Sequence, residues 1–182
     1  IRVKSCLVVG GGHGWHLVEK QHWQKFTAWR ACLPVPVMIR SPPDVAPVLP
    51  SGTRPDTVCN RPVNLLRLYP TLLQLAGLPA ESTNDGPSLV PLLSKPRGRG
   101  EHVSITRLGS PGNFGLSAQD WRYIHYADGG EELYHISTDP FEWKNLAKVA
   151  EHAAKLAKLR TLAPKNPKPV AISITGKVKK TE

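Results

Sequence analysis

The residues best suited to chemistry are concentrated in one stretch, residues 10–25, which reads GGGHGWHLVEKQHWQK. It contains three histidines and two lysines, namely His13, His16, Lys20, His22 and Lys25. An imidazole can ligate a metal ion or transfer a proton near neutral pH, and an ammonium group can hold an anion. The stretch therefore predicts a site for a metal ion, a proton transfer or an anion.

The spacing inside this stretch matches neither a zinc motif nor a nucleotide loop. Glu19 lies between His16 and His22, but these histidines are six residues apart, whereas a zincin helix needs them four apart. The glycines at 10–12 would begin a dinucleotide loop only if glycine also stood at the position of Trp15. A glycine turn with solvated histidines and packed tryptophans is the alternative interpretation of the same residues.

Short apolar segments on either side of the stretch predict the strands that position it. Residues 3–9 are apolar in their second half, and residues 35–40 are mostly apolar, as in a parallel strand that is covered on both faces. A glycine-rich turn at the carboxyl end of such a strand is where open α/β sheets bind their ligands. Aromatic residues three positions apart predict a short helix over residues 24–32.

The rest of the chain predicts a helix, a loop and a small antiparallel unit. Residues 66–76 carry an apolar stripe that ends before Gly77, which predicts a helix with a glycine at its end. The proline-rich segment 41–62 predicts a loop. Alternating segments and turn signals between residues 102 and 136 predict three or four antiparallel strands, and the leucine stripe of residues 146–162 predicts the helix that covers them.

The composition argues against several classes of partner. The chain has 182 residues and a net charge of +10, but its basic residues concentrate in a glycine- and proline-containing loop near residue 97 and in the tail after Pro164. We therefore expect solvated charge and no nucleic-acid partner. Because no run of about 18 apolar residues exists, we expect no membrane partner. The three cysteines include no Cys-x-x-Cys pair and predict neither a disulfide framework nor a zinc site.

Three separated motifs share their order and spacing with one enzyme family. The first is His13-Gly14-Trp15, followed by Leu17, Glu19, Trp23, Lys25 and the apolar residues 35–39. The second is the Leu-Tyr-Pro-Thr-Leu-Leu segment within residues 64–77. The third is Glu132-Leu-Tyr134 with Asp139-Pro140, Glu142 and Asn145-Leu146. In this order the motifs resemble the sulfatase family, and within it the iduronate-2-sulfatase-like branch, over residues 7–163.

The resemblance implies an α/β fold, namely the C-terminal part of an alkaline-phosphatase-like sandwich plus a small antiparallel sheet with a C-terminal helix. It implies three regions. Residues 1–96 would belong to the catalytic α/β domain, residues 97–163 would form the antiparallel unit, and residues 164–182 would be a flexible basic tail. A chain of this extent is expected to be a fragment of such an enzyme, with its N-terminal half as the missing partner.

The resemblance also implies roles for particular residues. Lys25 matches the active-site lysine that contacts the sulfate, and the nearby Lys20 and His22 are second candidates for catalysis. His13 matches the residue that completes the metal site, so calcium is the implied cofactor. The metal-ligating aspartate of the family would fall at position 12, which is Gly12, and glycine offers no ligand atom.

Other positions depart from the family pattern. Val18 stands where the family usually has glycine, and Arg30 stands where the branch often has an acidic residue. No cysteine or serine begins the Cys/Ser-x-Pro-x-Arg motif whose first residue, oxidised to formylglycine, is the nucleophile of the family. We therefore expect the chain by itself to be inactive.

The implied reaction is hydrolysis of a sulfate ester, on a sulfated sugar or a related ester, in a family that is usually secreted or periplasmic. Two alternatives remain open. A non-catalytic module could bind a polyanion through Lys20, Lys25, Arg30 and the basic tail, with an affinity that falls steeply with salt. A decayed remnant would have no function, and the departures inside the one functional stretch favour it.

Overall fold

The structure is a computed structural model that describes residues 6–40, 49–98, 102–109 and 111–164. The strands are β1 (Leu7–Gly10), β2 (His16–Leu17), β3 (Trp23–Gln24), β4 (Val37–Arg40), β5 (Val103–Arg107), β6 (Phe114–Ala118), β7 (Trp121–His125) and β8 (Glu131–His135). The helices are α1 (Leu68–Leu75), α2 (Val90–Ser94) and α3 (Ala153–Thr161). Within these described ranges, no helix is long and apolar enough to cross a membrane.

A four-stranded antiparallel sheet in the order β5-β6-β7-β8 organises the C-terminal unit, by which we mean residues 102–164 as far as they are described. Successive side chains alternate between its two faces. One face packs against α3 through a cluster that comprises Phe114, Leu116, Tyr123, Leu133, Leu156 and Leu159. The opposite face carries Ile124 and Tyr134, which pack against Ala28 of the N-terminal stretch. The predicted antiparallel unit is confirmed, and its sheet is covered by α3 on one face and by residues near Ala28 on the other.

The two strands that flank the glycine-rich stretch pair antiparallel, so the prediction of a parallel, doubly covered strand was wrong. The β1–β4 ladder places Val9 opposite Met38, and the bond from Gly11 N to Pro36 O extends it. A parallel pair needs a crossover connection, usually a helix, and residues 11–36 provide only short strands and 3-10 turns. Both strands are partly open, since Leu7 is 56% exposed and Met38 is 59% exposed.

Helix α1 confirms the helix predicted for residues 66–76. A 3-10 turn, Leu65–Arg67, precedes it, and the Asn64 side chain accepts a hydrogen bond from Leu66 N at 2.9 Å. This arrangement is a helix N-cap, in which a side-chain oxygen satisfies one of the free amides. Gly77 follows the helix with φ 69°, the left-handed conformation that commonly ends a helix.

The other two predicted helices differ from the structure. Within residues 24–32 the only helical element is a 3-10 turn, Arg30–Cys32. Gln24 and Phe26 have φ values of 74° and 72°, which no right-handed helix accommodates. The predicted helix 146–162 begins later, at the 3-10 turn Ala150–His152 that leads into α3. The predicted basic tail lies, apart from its first residue, outside the described residues.

Candidate active site

A hairpin of two short strands forms the base of the candidate site. Strands β2 and β3 pair antiparallel, with Leu17 opposite Trp23, and a 3-10 turn over Glu19–Gln21 connects them. Val18 has φ 93°. This left-handed conformation is strained for a β-branched residue, which agrees with the expectation that position 18 suits glycine.

Gly14 fixes the path of the chain next to the hairpin. Its amide donates to Cys32 O at 2.8 Å, and a Cβ at this position would lie 2.2 Å from Ala31 O. Such a contact with backbone is closer than any packed side chain tolerates, so only glycine fits here. The loop of residues 13–15 is therefore held directly against the 3-10 turn that ends at Cys32.

His13 and Lys25 lie together at the exposed edge of this loop. The Lys25 Nζ atom is 3.2 Å from His13 Nε2, and His13 Nδ1 is 2.7 Å from Gly14 O. A carbonyl oxygen only accepts, so Nδ1 carries the proton and Nε2 is left as the acceptor for the Lys25 ammonium group. The structure thus brings together two of the four predicted site residues.

His22 lies beneath Lys25, in a cluster of rings. Its Nε2 atom is 3.3 Å from Lys25 O, and its ring meets the buried His16 edge-on at 5.2 Å between centroids. His16 also contacts Trp29, and its Nε2 is 2.7 Å from Thr27 Oγ1. Burial, and after it the neighbouring His22, lowers the pKa of His16, so this ring is neutral near pH 7. In this structure His22 supports the backbone of Lys25.

Lys20 does not join Lys25. Its Nζ atom donates to Tyr134 OH at 3.0 Å and to Glu142 O at 2.5 Å, and it lies over the rings of Trp29 and Tyr134. Burial lowers the pKa of this ammonium group. Lys20 therefore connects the hairpin to the C-terminal unit. Its hydrogen bonds go to Tyr134 and Glu142, and it is not placed beside Lys25 to hold the same anion.

Several residues to which the sequence analysis gave no role lie in the C-terminal unit and bind the loop that carries the candidate site. Glu142 is buried, and its Oε2 atom accepts from Arg30 N at 2.7 Å while Oε1 lies 3.4 Å from Arg122 Nε. Burial raises the pKa of Glu142, and the Arg122 guanidinium opposes that effect. Trp29 Nε1 donates to Glu132 Oε2 at 2.7 Å. The signal was present, because Glu132 and Glu142 both belong to the third motif.

A broad cavity of about 2520 Å³ opens beside His13 and Lys25. Small-molecule sites are usually between about 300 and 1,000 Å³, so this cavity has room for more than a small ligand. Among the described residues that line it, basic side chains outnumber acidic ones. The basic ones are Lys25, Arg30, Arg40, Arg54, Arg61, Arg107 and Arg122, and the acidic ones are Asp56 and Asp120. This lining favours an anionic ligand.

The residues around His13 do not by themselves fit the calcium ion that the resemblance implies. Gly12 offers no oxygen, and nothing lies within 4 Å of the place where its Cβ would be. Across residues 6–40, 49–98, 102–109 and 111–164, no group of three or more His, Cys, Asp or Glu side chains could hold a metal ion. Calcium requires six to eight oxygen ligands, and we derive no chemistry through it for this chain.

Known proteins with similar sequences are sulfatases. A sulfatase from Formosa agariphila is 35% identical to the chain over 161 residues, which cover 88% of this chain and 30% of that protein. Arylsulfatase K from Homo sapiens is 27% identical over 160 residues, which cover 79% of this chain and 28% of that protein. No protein-family model matches the chain.

Solved structures agree on the fold. A 2-O GAG sulfatase superposes with a TM-score of 0.68 at 25% identity, covering 86% of this chain and 35% of that chain. The α/β architecture with a four-stranded antiparallel sheet and a C-terminal helix is therefore that of the alkaline-phosphatase-like sulfatases. The chain spans about 30% of the length of the curated relatives it matches.

Proposed function

We propose that this chain, which belongs to the sulfatase family over most of its length, contributes one wall of an active site that hydrolyses sulfate esters. The observation that carries the proposal is the contact between Lys25 and His13, 3.2 Å apart at the edge of a basic cavity. A lysine ammonium group whose neighbour is an imidazole acceptor has its remaining protons free for an oxyanion.

The pair suggests a division of labour during ester cleavage. Lys25 would donate hydrogen bonds to a sulfate oxygen and so stabilise the negative charge that grows as the ester bond breaks. His13, whose Nδ1 proton is donated to Gly14 O, would present Nε2 as the acceptor that holds the Lys25 ammonium group in place. His22 would hold the Lys25 backbone in place through its contact with Lys25 O.

A sulfated sugar is the substrate class that we favour. One structural neighbour is a 2-O GAG sulfatase, an enzyme named for a sulfated glycan. The basic lining of the cavity extends well beyond Lys25, to Arg54 and Arg61, which suits a ligand with several acidic groups. Placement in the iduronate-2-sulfatase-like branch is the finer part of this proposal, and it rests on the motif around His13 and Lys25.

We further propose that the chain alone does not turn over sulfate esters. Its sequence lacks the Cys/Ser-x-Pro-x-Arg motif for the nucleophile, and Gly12 stands at the position of a metal-ligating aspartate. The partner would be the N-terminal part of a sulfatase domain. Exposed apolar side chains on β1, β4 and α1, such as Val9, Met38 and Leu72, are a surface against which such a part would pack.

The proposal is tested by titrating the purified chain with inorganic sulfate, followed by NMR. We expect shifts of the Lys25 and His13 resonances, and a loss of most of this response in Lys25→Gln. The control is Lys148→Gln, which removes the same charge from an exposed lysine outside the cavity lining and should leave the response unchanged. Equal losses in both variants would mean that the response of the chain to sulfate depends only on its net charge.

The same samples distinguish the enzymatic proposal from the polyanion-binding alternative. An arylsulfate ester incubated with the chain should remain uncleaved, and measurable turnover would contradict the proposed need for a partner. A sulfated polysaccharide that binds tightly, with an affinity falling steeply as salt rises and insensitive to Lys25→Gln, would favour the polyanion-binding module. Absence of any response to sulfate or to the polysaccharide would favour a decayed remnant.

A further inference from the structure

The C-terminal unit contacts the site loop, residues 13–32, at polar points that are distributed along its length. Lys20 bonds to Tyr134 OH and to Glu142 O, and Trp29 Nε1 bonds to Glu132. Between these points the two parts are in direct contact, because a Cβ on Gly115 would lie 2.8 Å from the Cβ of Ala28.

Glu142 contacts the site loop with both its backbone and its side chain. Its backbone oxygen accepts from Lys20, near the middle of the loop, and its carboxylate accepts from Arg30 N, close to the end of the loop. Its own backbone has φ 59°, a left-handed conformation that turns the side chain and the carbonyl toward different parts of the loop. Phe141 and Trp143 on either side are exposed, so the segment inserts one carboxylate and leaves its neighbours in solvent.

The bond at Arg30 leads directly to the site. Arg30 begins the 3-10 turn that ends at Cys32, and Cys32 O accepts from Gly14 N at 2.8 Å. Gly14 O in turn holds His13 Nδ1, and His13 Nε2 meets Lys25. Hydrogen bonds and the short backbone segment from Arg30 to Cys32 therefore link the Glu142 carboxylate to the exposed pair.

The burial of Glu142 makes this role specific. Its carboxylate and the Arg122 side chain are both almost fully buried, with Arg122 Nε 3.4 Å from Glu142 Oε1. Lys20 is a second cationic neighbour of this carboxylate. Burying charged groups in this way is costly, and replacing a buried ion pair by apolar residues of similar volume is often neutral or favourable for stability.

We propose that Glu142 is a positioning residue for the site, and that its carboxylate fixes the His13–Lys25 pair by holding the 3-10 turn at Arg30. The importance of that pair rests on the proposed function. The position of the loop is a separate property of the chain, and it can be measured whether or not sulfate binds.

The test uses amide hydrogen exchange by NMR in the full chain, with Tyr123 in the core of the sheet as the internal reference. In Glu142→Ala, exchange at Arg30 and Gly14 relative to Tyr123 should become faster by roughly tenfold or more, because the charged acceptor is lost. Glu142→Gln retains an oxygen that can accept from Arg30, and it should restore most of the protection at Gly14. Dividing each exchange rate by that of Tyr123 cancels the effect of the global destabilisation that an unpaired Arg122 causes.

The matched control is Leu159→Ala, which weakens the same unit from the opposite face of the sheet. It should speed up exchange at Tyr123 and Gly14 together and leave their ratio unchanged. The proposal is overturned if Glu142→Ala affects Arg30 but not Gly14, or if Leu159→Ala changes the ratio as much as Glu142→Ala does.

The sulfate titration supplies the functional readout. Glu142→Ala should weaken the response of Lys25, whereas Glu142→Gln and Leu159→Ala should resemble the unaltered chain. If the unaltered chain does not respond to sulfate, the proposed function fails while the exchange ratios still decide the role of Glu142. If sulfate binds and the response of Lys25 is the same in Glu142→Ala, the positioning role fails and the proposed function stands.

Discussion

The two parts of the molecule differ in how far each buries its own apolar surface. Of the described residues, eight of the twelve buried hydrophobic ones belong to the C-terminal unit. Fourteen of the sixteen exposed large hydrophobic residues lie before it, in residues 6–40 and 49–98. The C-terminal unit thus has a core of its own, whereas the preceding part leaves most of its large apolar side chains exposed. The site lies where the two parts meet, and it takes its support from the unit with the core.

The largest expected effect tests this contrast directly. Leu133 is fully buried in the core of the C-terminal unit, and Leu66, near α1, is 60% exposed. Leu133→Ala should lower the free energy of unfolding by about 3 kcal/mol, because it leaves a cavity in a packed core. Leu66→Ala should change it by less than about 0.5 kcal/mol. Urea denaturation followed by circular dichroism measures both, and comparable losses would show that the two parts are equally packed.

A smaller effect is expected within the site loop, at two glycines that differ only in their surroundings. Gly14→Ala places a Cβ against Ala31 O and should cost about 2 kcal/mol through displaced backbone. Gly12→Ala meets no atom within 4 Å and should be close to neutral. Denaturant titration followed by tryptophan fluorescence compares them. Equal stability of the two variants would mean that the loop is not held against the 3-10 turn.

The smallest expected effect is a loss of stability at acidic pH, and it should be confined to the C-terminal unit. Hydrogen bonding to Arg160 is the main cause that lowers the pKa of Glu131 to about 2, against about 4.3 in an unfolded chain. A depressed pKa contributes stability that is present above the unfolded value and is lost as pH falls toward the folded value. The unit should therefore lose stability between about pH 4.5 and pH 2.

Arg160 is half exposed, so this contribution is screened by solvent and should not exceed about 1 kcal/mol. Thermal unfolding at a series of pH values, followed at the aromatic circular dichroism of the sheet, measures the slope. Arg160→Met should flatten the slope. An identical slope in that variant would assign the acid sensitivity to other carboxylates.

The same contrast explains what the sequence could and could not predict. In the C-terminal unit, alternation and turn signals act locally, and they predicted the antiparallel sheet correctly. In the site loop the backbone depends on positive φ values at Gln24 and Phe26, which neither residue type signals. The spacing of the aromatic residues predicted a helix there. That prediction failed because tertiary contacts override the local preference, and a local sequence pattern does not reveal such contacts.

For the site, the motifs assigned His13 to the metal site and Lys25 to the sulfate, but only the structure shows that the two side chains lie 3.2 Å apart. Lys20 could not be placed from its position in the chain, since its partners Tyr134 and Glu142 follow 114 and 122 residues later. Glu142 lay within a recognised motif, but only the structure gives it a contact with Arg30. Spacing identifies neighbours along the chain, whereas burial and partners come from the fold.

The length of chain between the site loop and its support has a consequence for folding order. The contacts from Trp29 to Glu132 and from Arg30 to Glu142 close loops of 103 and 112 residues. Contacts of this separation cost loop-closure entropy and form late. During synthesis the hairpin, which ends at Gln24, emerges more than a hundred residues before the sheet is completed at His135. We therefore expect the His13–Lys25 pair to acquire its geometry only after the C-terminal unit has folded.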